Sequence, residues 1–155
     1  MSYNIDIQNA TNQSLPVSEE KLIHFASLAL KDYRNEAELT IRFVSPEEMT
    51  VLNHTYRKQN KATNVLAFPS QLPPEIQLEY PLLGDVIICP QVLYVESEEL
   101  NKTLESHWAL IVIHGILHLL GYDHIKDDDA TIMQSIEIKL LAELGFANPY
   151  DGEDN

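Results

Sequence analysis

The chain has 155 residues and a mass of 17.6 kDa; 45% of its residues are hydrophobic and 22% charged, which excludes wholesale disorder and leaves enough chain for one buried core. Ten basic residues stand against 24 acidic ones, and the resulting net charge of −14 disfavours a protein that coats nucleic acid by neutralising phosphates. The single cysteine, Cys89, excludes an intramolecular disulfide and favours a reducing compartment.

No targeting or membrane segment is expected from the sequence. Residues 1–10 lack the basic region and the apolar run of a signal peptide. The longest apolar run, residues 108–120, is shorter than the roughly 20 residues that cross a bilayer, and it contains two histidines. We therefore expect a cytoplasmic protein with one domain over residues 1–155, of which residues 147–155 form a frayed acidic tail.

Strands and helices alternate in the first half of the chain. The alternating apolar residues of 3–8 predict a strand, and Ser18 is expected to cap a helix that reaches about residue 33. A second strand is predicted over 37–44. The next four residues, Ser45-Pro46-Glu47-Glu48, are typical of a helix start, because serine caps, proline suits the first helical position and Glu48 completes a capping box.

The second half continues this alternation. Short apolar runs predict strands at 64–68 and 85–89, with a short helix after Pro90. Two longer helices are predicted over about 103–120 and 127–144, and each ends at a glycine. The expected class is α+β, with α/β as the alternative, and the sheet is expected to be small and mixed, with about four strands packed against about four helices.

Three histidines, His114, His118 and His124, have the spacing of metal ligands. The first two are four residues apart, so on a helix they lie on one face, where both imidazoles can reach one ion at about 2.0–2.1 Å. Gly121 allows the chain to turn back, so that the third histidine can approach the same ion. Three protein ligands leave a fourth position for water, which is typical of a catalytic zinc site.

The residue after the first histidine separates this pattern from that of zinc peptidases. The three histidines have the ligand spacing of the metzincins, but zincins carry a glutamate as general base where this chain has Gly115. A peptidase would therefore need its base elsewhere. Alternatively, the three histidines are ordinary core residues. This alternative does not explain well why three of them fall at ligand spacing within eleven residues.

Four blocks of sequence carry a resemblance to a known family. They are LNHTYR, ATNVLAFP, LGDVIICP and the segment from the HW pair to the last histidine, at residues 52–57, 62–69, 83–90 and 107–124. On these blocks the chain resembles the YbeY family of bacterial endoribonucleases, which are also called ribosomal RNA maturation factors. Family members often carry aspartate and serine where this chain has Asn64 and Ala67.

The resemblance implies a zincin-like fold in which His114, His118 and His124 hold one zinc ion. It also implies metal-dependent cleavage of single-stranded RNA, in maturation of the 16S rRNA 3′ end and in ribosome quality control. The implied partners are single-stranded rRNA, the small ribosomal subunit and its assembly factors. The resemblance further singles out Arg57 as a functional residue.

The chemistry of phosphodiester cleavage agrees with this assignment. The planar fork of Arg57 can bind phosphate oxygens bidentately, and with Lys58 and Lys61 it makes a positive patch on an acidic protein; a solvated helix end is the alternative. Tyr56 is a candidate for stacking on a base. The attacking group is either a zinc-bound water or the RNA 2′-OH, and the sequence is compatible with both.

Two aspartates are candidates for a base or for a partner that orients a ligand histidine. Asp85 follows a glycine at a strand start, and a turn-forming carboxylate is its alternative role. Asp123 is adjacent to the third histidine, and its alternative role is to cap the turn.

Two other functions compete with an RNA-cleaving enzyme. One is a metallohydrolase of another class, such as a peptidase with a displaced base. The other is a non-catalytic ribosome-assembly factor with a structural metal, which would need a fourth protein ligand such as Asp123 or Asp127. Nickel or another metal that accepts imidazole is the alternative to zinc.

Overall fold

The computed structural model describes residues 2–70, 82–122 and 127–151. In these ranges the strands are β1 (Ser2–Asn9), β2 (Glu36–Phe43), β3 (Val65–Pro69) and β4 (Leu82–Ile88). The helices are α1 (Glu19–Leu30), α2 (Pro46–Arg57), α3 (Pro90–Glu99), α4 (Leu104–Leu119) and α5 (Asp127–Glu143).

The four strands form one mixed sheet, as the sequence predicts. Its order is β1-β2-β4-β3, with β1 parallel to β2, β2 parallel to β4, and β3 antiparallel to β4. The described residues contain five helices rather than about four, because the segment after Cys89 forms a complete helix with Pro90 in its first turn. β3 is an edge strand, because it pairs with β4 on one side only.

The predicted helix starts at Ser18 and Ser45 are confirmed. The Ser18 hydroxyl accepts a hydrogen bond from the backbone N–H of Lys21, and the Ser45 hydroxyl accepts one from that of Glu48. Thr103 caps α4 in the same way. Each cap satisfies a backbone N–H that has no partner within its own helix.

Each face of the sheet carries its own core. The alternating residues of β2 point Ala37, Leu39, Ile41 and Phe43 into the larger core, where the Phe43 ring stacks on Trp108 of α4 at 5.2 Å. α1 and α4 cover this face. The smaller core lies on the other face, under α2, and its buried members are Val44, Met49, Leu66, Ile87 and Cys89. Burial raises the pKa of the Cys89 thiol, which agrees with a structural role.

α4 packs tightly on the sheet at Gly115. A Cβ atom at this position would be 2.6 Å from Cγ1 of Val86 and 3.4 Å from Cγ2 of Val65. Gly115 is buried, so the helix carrying His114 and His118 is positioned by direct packing of its backbone on β3 and β4. The missing side chain therefore sets how near the two histidines lie to the edge strand.

We expect Gly115→Ala to lower the free energy of unfolding by about 1–2 kcal/mol. Alanine gains about 1 kcal/mol in helix propensity, but overpacking against a stiff β-branched side chain costs about 1–3 kcal/mol, and the distance of 2.6 Å puts the cost at the upper end. Urea unfolding measures the change. In a Val86→Ala background the same substitution should be neutral or stabilising; an equal loss in both backgrounds would contradict this account.

The first residues of the predicted frayed tail are bound to the body of the protein. Lys102 Nζ donates to the carbonyl oxygen of Pro149 at 2.6 Å, and the Tyr150 hydroxyl donates to Glu137 at 2.5 Å. Residues 147–151 therefore form a packed segment, which differs from the expectation of fraying, and residues 152–155 lie outside the described residues. The acidic composition of this segment did not predict its contacts with Lys102 and Glu137.

None of the helices within residues 2–70, 82–122 and 127–151 is both long enough and apolar enough to cross a membrane.

Candidate active site

A cavity of about 300 Å³ brings the predicted histidines and the predicted arginine together. It lies where the end of α2, the edge strand β3 and the second half of α4 meet. Its lining consists of Arg57, Thr63, Asn64, Val65, Ala67, His114 and His118. Sequence separation between the arginine and the histidines is large, so their meeting is a result of the tertiary fold.

The two helical histidines face each other across one turn of α4. Their Nε2 atoms are 3.1 Å apart, and their rings meet edge to face with centroids 4.7 Å apart. This is the geometry expected for imidazoles at positions i and i+4. Nδ1 of His114 lies 2.6 Å from Oε2 of Glu137 on α5. The two ring nitrogens of His114 therefore have different neighbours, Glu137 at Nδ1 and His118 at Nε2.

The third predicted ligand, His124, lies outside the described residues, as does Asp123. Gly121, close before them in the sequence, has a φ of +103°, a backbone conformation that favours glycine. Among residues 2–70, 82–122 and 127–151, no three His, Cys, Asp or Glu side chains come together as a metal site. Ligation by all three histidines therefore stays a prediction.

Arg57 reaches the cavity from the last turn of α2. Its side chain is exposed, and the helix ends at the next residue, Lys58, which adopts a left-handed conformation with φ of 62°. Asn53, fully buried one turn earlier, donates from Nδ2 to the carbonyl oxygen of Lys61 at 2.8 Å. This bond attaches the connection between α2 and β3 to the helix, which orients the loop beside the arginine. Sequence reasoning did not identify Asn53.

The other predicted RNA contacts surround this corner without lining the cavity. Lys58 and Lys61 are exposed, and Lys58 Nζ donates to the carbonyl oxygen of Thr55 at 3.3 Å. Tyr56 is 62% exposed and packs edge to face on Phe68 at 4.9 Å. Both lysines are thus accessible to a polyanion, and the Tyr56 ring keeps most of its surface in solvent.

Asn64 lines the cavity and is held by a partly buried chain of polar side chains. Its Nδ2 donates to both carboxylate oxygens of Glu96 at 3.3 Å, and Oε1 of Glu96 lies 2.9 Å from Nε2 of His107. An amide can donate to Glu96, whereas a carboxylate at position 64 would face it with like charge. The asparagine in this chain, where family members often carry aspartate, is therefore matched to its neighbour.

Asp85 is not among the residues that line the cavity with His114 and His118. Its neighbour Val86 is in contact distance of Gly115 on α4, and successive side chains of a strand point to opposite faces. Asp85 is exposed on the face that α2 covers, so it does not line the cavity. The carboxylate that contacts His114 belongs to Glu137, which the sequence analysis did not single out.

The surroundings of Gly115 bear on the peptidase alternative. A glutamate base in zincins follows the first histidine, and here that position is buried against Val86 and Val65. A carboxylate at position 115 would be forced into the larger core. No carboxylate side chain lines the cavity among the residues that the structure describes.

Comparisons with known proteins show which family the chain is similar to. The family model described as Endoribonuclease YbeY matches residues 6–145. Proteins named Endoribonuclease YbeY from Legionella pneumophila strains Corby and Paris are each 66% identical over 155 residues, covering 100% of this chain and 98% of theirs. The solution structure of TM1509 from Thermotoga maritima is similar in fold, with a TM-score of 0.63 and 29% identity over 90% of this chain and 88% of that one.

The match therefore extends over nearly all of both this chain and its relatives, and includes all four blocks identified in the sequence. The zincin-like label is not tested by the solved structure, whose likeness supports a mixed α and β fold with a four-stranded sheet. The chain belongs to the YbeY family of endoribonucleases.

Proposed function

We propose that this chain is a zinc-dependent endoribonuclease that cuts single-stranded RNA at the cavity between α2, β3 and α4. One observation carries the proposal: Arg57, His114 and His118 line the same cavity. His124 is the proposed third ligand. A phosphate-binding side chain beside a pair of metal-binding imidazoles is the combination that hydrolysis of a phosphodiester requires.

The described histidines suit a zinc ion. Two ligand nitrogens at about 2.0–2.1 Å from one tetrahedral ion lie about 3.3 Å apart, and the Nε2–Nε2 distance of 3.1 Å is close to that separation. Because Nδ1 of His114 contacts a carboxylate, Nε2 is the ring nitrogen that would act as the ligand. Imidazole donors also accept nickel and related ions, so zinc is the member of this class that we propose.

The roles of the remaining residues follow from charge and position. When bound, zinc supplies Lewis acidity and increases the acidity of a coordinated water. Arg57 is the proposed catalytic residue that binds the phosphate oxygens and stabilises their charge in the transition state. Lys58 and Lys61 are proposed to bind neighbouring phosphates, and Tyr56 to stack on a base. Asp123 remains a proposed partner of the third histidine.

The biological substrate is proposed from family membership. We propose that the chain acts in the cytoplasm on ribosomal RNA, in maturation of the 16S rRNA 3′ end and in ribosome quality control, together with the small ribosomal subunit. The local character of the basic cluster supports a strand of RNA as substrate, because a net charge of −14 disfavours binding to long duplexes through non-specific phosphate neutralisation.

The test is cleavage of a labelled single-stranded RNA carrying the 16S 3′ end. Zinc-loaded protein should cut this RNA and leave the matched duplex intact, whereas protein stripped with a chelator should be inactive until zinc is restored. Activity that persists without metal would overturn zinc dependence. Zinc binding without cleavage of any RNA would favour the assembly factor, and digestion of casein by the same preparation would favour the peptidase.

A further inference from the structure

Glu137 is a buried acid in contact with a proposed metal ligand. It lies on α5, is 1% exposed, and is the one acidic side chain that is buried among residues 2–70, 82–122 and 127–151. Its Oε2 atom lies 2.6 Å from Nδ1 of His114, which is itself 24% exposed. A buried carboxylate is costly unless each of its oxygens has a partner, so a specific role is expected at this position.

The contact determines which nitrogen of His114 carries the proton. A carboxylate accepts, so the Nδ1–H group of His114 donates to Glu137. The other ring nitrogen, Nε2, is directed at His118, and both histidines line the cavity. This is the arrangement in which a carboxylate orients a ligand histidine and increases its basicity. The same carboxylate also fixes the rotation of the ring, because a 2.6 Å hydrogen bond tolerates little misalignment.

The C-terminal segment holds the other oxygen of Glu137. The Tyr150 hydroxyl donates to Oε1 at 2.5 Å, and the backbone N–H of Tyr150 donates to Oδ1 of Asn148 at 2.8 Å. Lys102 holds the same segment through its bond to Pro149. The segment after α5 is thereby connected to the cavity through two hydrogen bonds, Tyr150 to Glu137 and Glu137 to His114.

We propose that Glu137 is the positioning residue for His114 as a metal ligand, and that Tyr150 holds Glu137 in place for this role. The inference rests on the proposed function, since it requires His114 to bind zinc. Glu137 touches neither substrate nor metal in this scheme and acts through the histidine. The C-terminal segment is accordingly part of the metal site, and its contribution is orientation.

The test compares two conservative variants with two matched controls in the full chain. Glu137→Gln removes the charge, and Tyr150→Phe removes one hydroxyl. Glu143→Gln makes the same change on the same helix at a surface ion pair with Lys31, and Tyr94→Phe removes an exposed hydroxyl. The zinc dissociation constant is measured with a chromophoric competing chelator, and the protonation of the His114 ring in metal-free protein by 15N NMR.

We expect Glu137→Gln to weaken zinc binding by about 10–100-fold, Tyr150→Phe to do so by a smaller factor, and both controls to stay within about twofold of wild type. In metal-free wild type the His114 proton should reside on Nδ1, and Glu137→Gln should shift it toward Nε2. Wild-type zinc affinity and an unchanged ring in Glu137→Gln would overturn the positioning role while leaving the zinc site intact. Failure of the wild type to bind zinc would overturn the proposed function and this inference together.

Discussion

Replacing His114 with alanine is expected to weaken zinc binding by about 10²–10³-fold and to abolish RNA cleavage. A four-ligand structural zinc site binds with about 10–16 kcal/mol in total, so one ligand contributes about 2.5–4 kcal/mol. The histidine lines the cavity with Nε2 directed at His118. Zinc retained after dialysis, measured by mass spectrometry, and cleavage of labelled single-stranded RNA give the two readouts.

A second variant separates loss of a ligand from loss of folding. His114→Ala also deprives the buried Glu137 of a hydrogen-bond partner, which is expected to cost about 1–3 kcal/mol of unfolding free energy. His118→Ala should lose zinc to the same extent without this cost. His24→Ala, an exposed histidine on α1, is the control and should match wild type. Unchanged metal content in His114→Ala would remove this residue from the site.

Local sequence patterns predicted most elements of this fold because the signals are themselves local. Ser18 and Ser45 cap the helices where predicted, since a cap depends on residues within one turn. The alternation in β2 predicted that Leu39, Ile41 and Phe43 lie on one face, and all three are buried. Only a short helix was predicted after Pro90, whereas α3 extends to Glu99. Its apolar pattern is weak, although Pro90 marks its start.

The partners of His114 could not be predicted in the same way. Glu137 lies 23 residues from His114 along the chain and is one of several acidic residues in and around α5. Its charge and its place on α5 do not distinguish it from Glu143, which forms a surface ion pair. Burial of one and exposure of the other follow from how α5 packs on α4, which is a tertiary property. The sequence contained one indication that Glu137 is buried: it lies four residues from both Met133 and Leu141, which are buried on the same helix.

Asp85 illustrates a limit of motif reasoning. A carboxylate after Gly84 at a strand start was a candidate base or partner of a ligand histidine, but a strand places neighbouring residues on opposite faces. Which face a residue occupies depends on the register of the strand in the sheet, and Val86 is the one that faces α4. A single position along β4 therefore separates contact with the helix that carries the histidines from exposure on the other face.

Replacing Arg57 with alanine is expected to lower kcat/KM for single-stranded RNA by about 10²–10³-fold while leaving the zinc dissociation constant unchanged. Loss of one positioned donor to transition-state charge has an effect of this order. The side chain is exposed at the end of α2 and lines the same cavity as the histidines, so its removal disturbs no core. Single-turnover cleavage and chelator competition, run on the same preparation, measure both quantities.

Two further variants determine what the arginine contributes. Arg57→Lys keeps the charge but loses the planar fork, so cleavage should fall between wild type and alanine if bidentate binding of phosphate matters. Arg34→Ala removes an exposed arginine that does not line the cavity, and it should cleave like wild type. All proteins are purified identically, so that a contaminating nuclease would give equal activity in every sample. Full cleavage by Arg57→Ala would exclude the arginine from the mechanism, and a parallel loss of zinc affinity would mean that it supports the metal site instead of the phosphate.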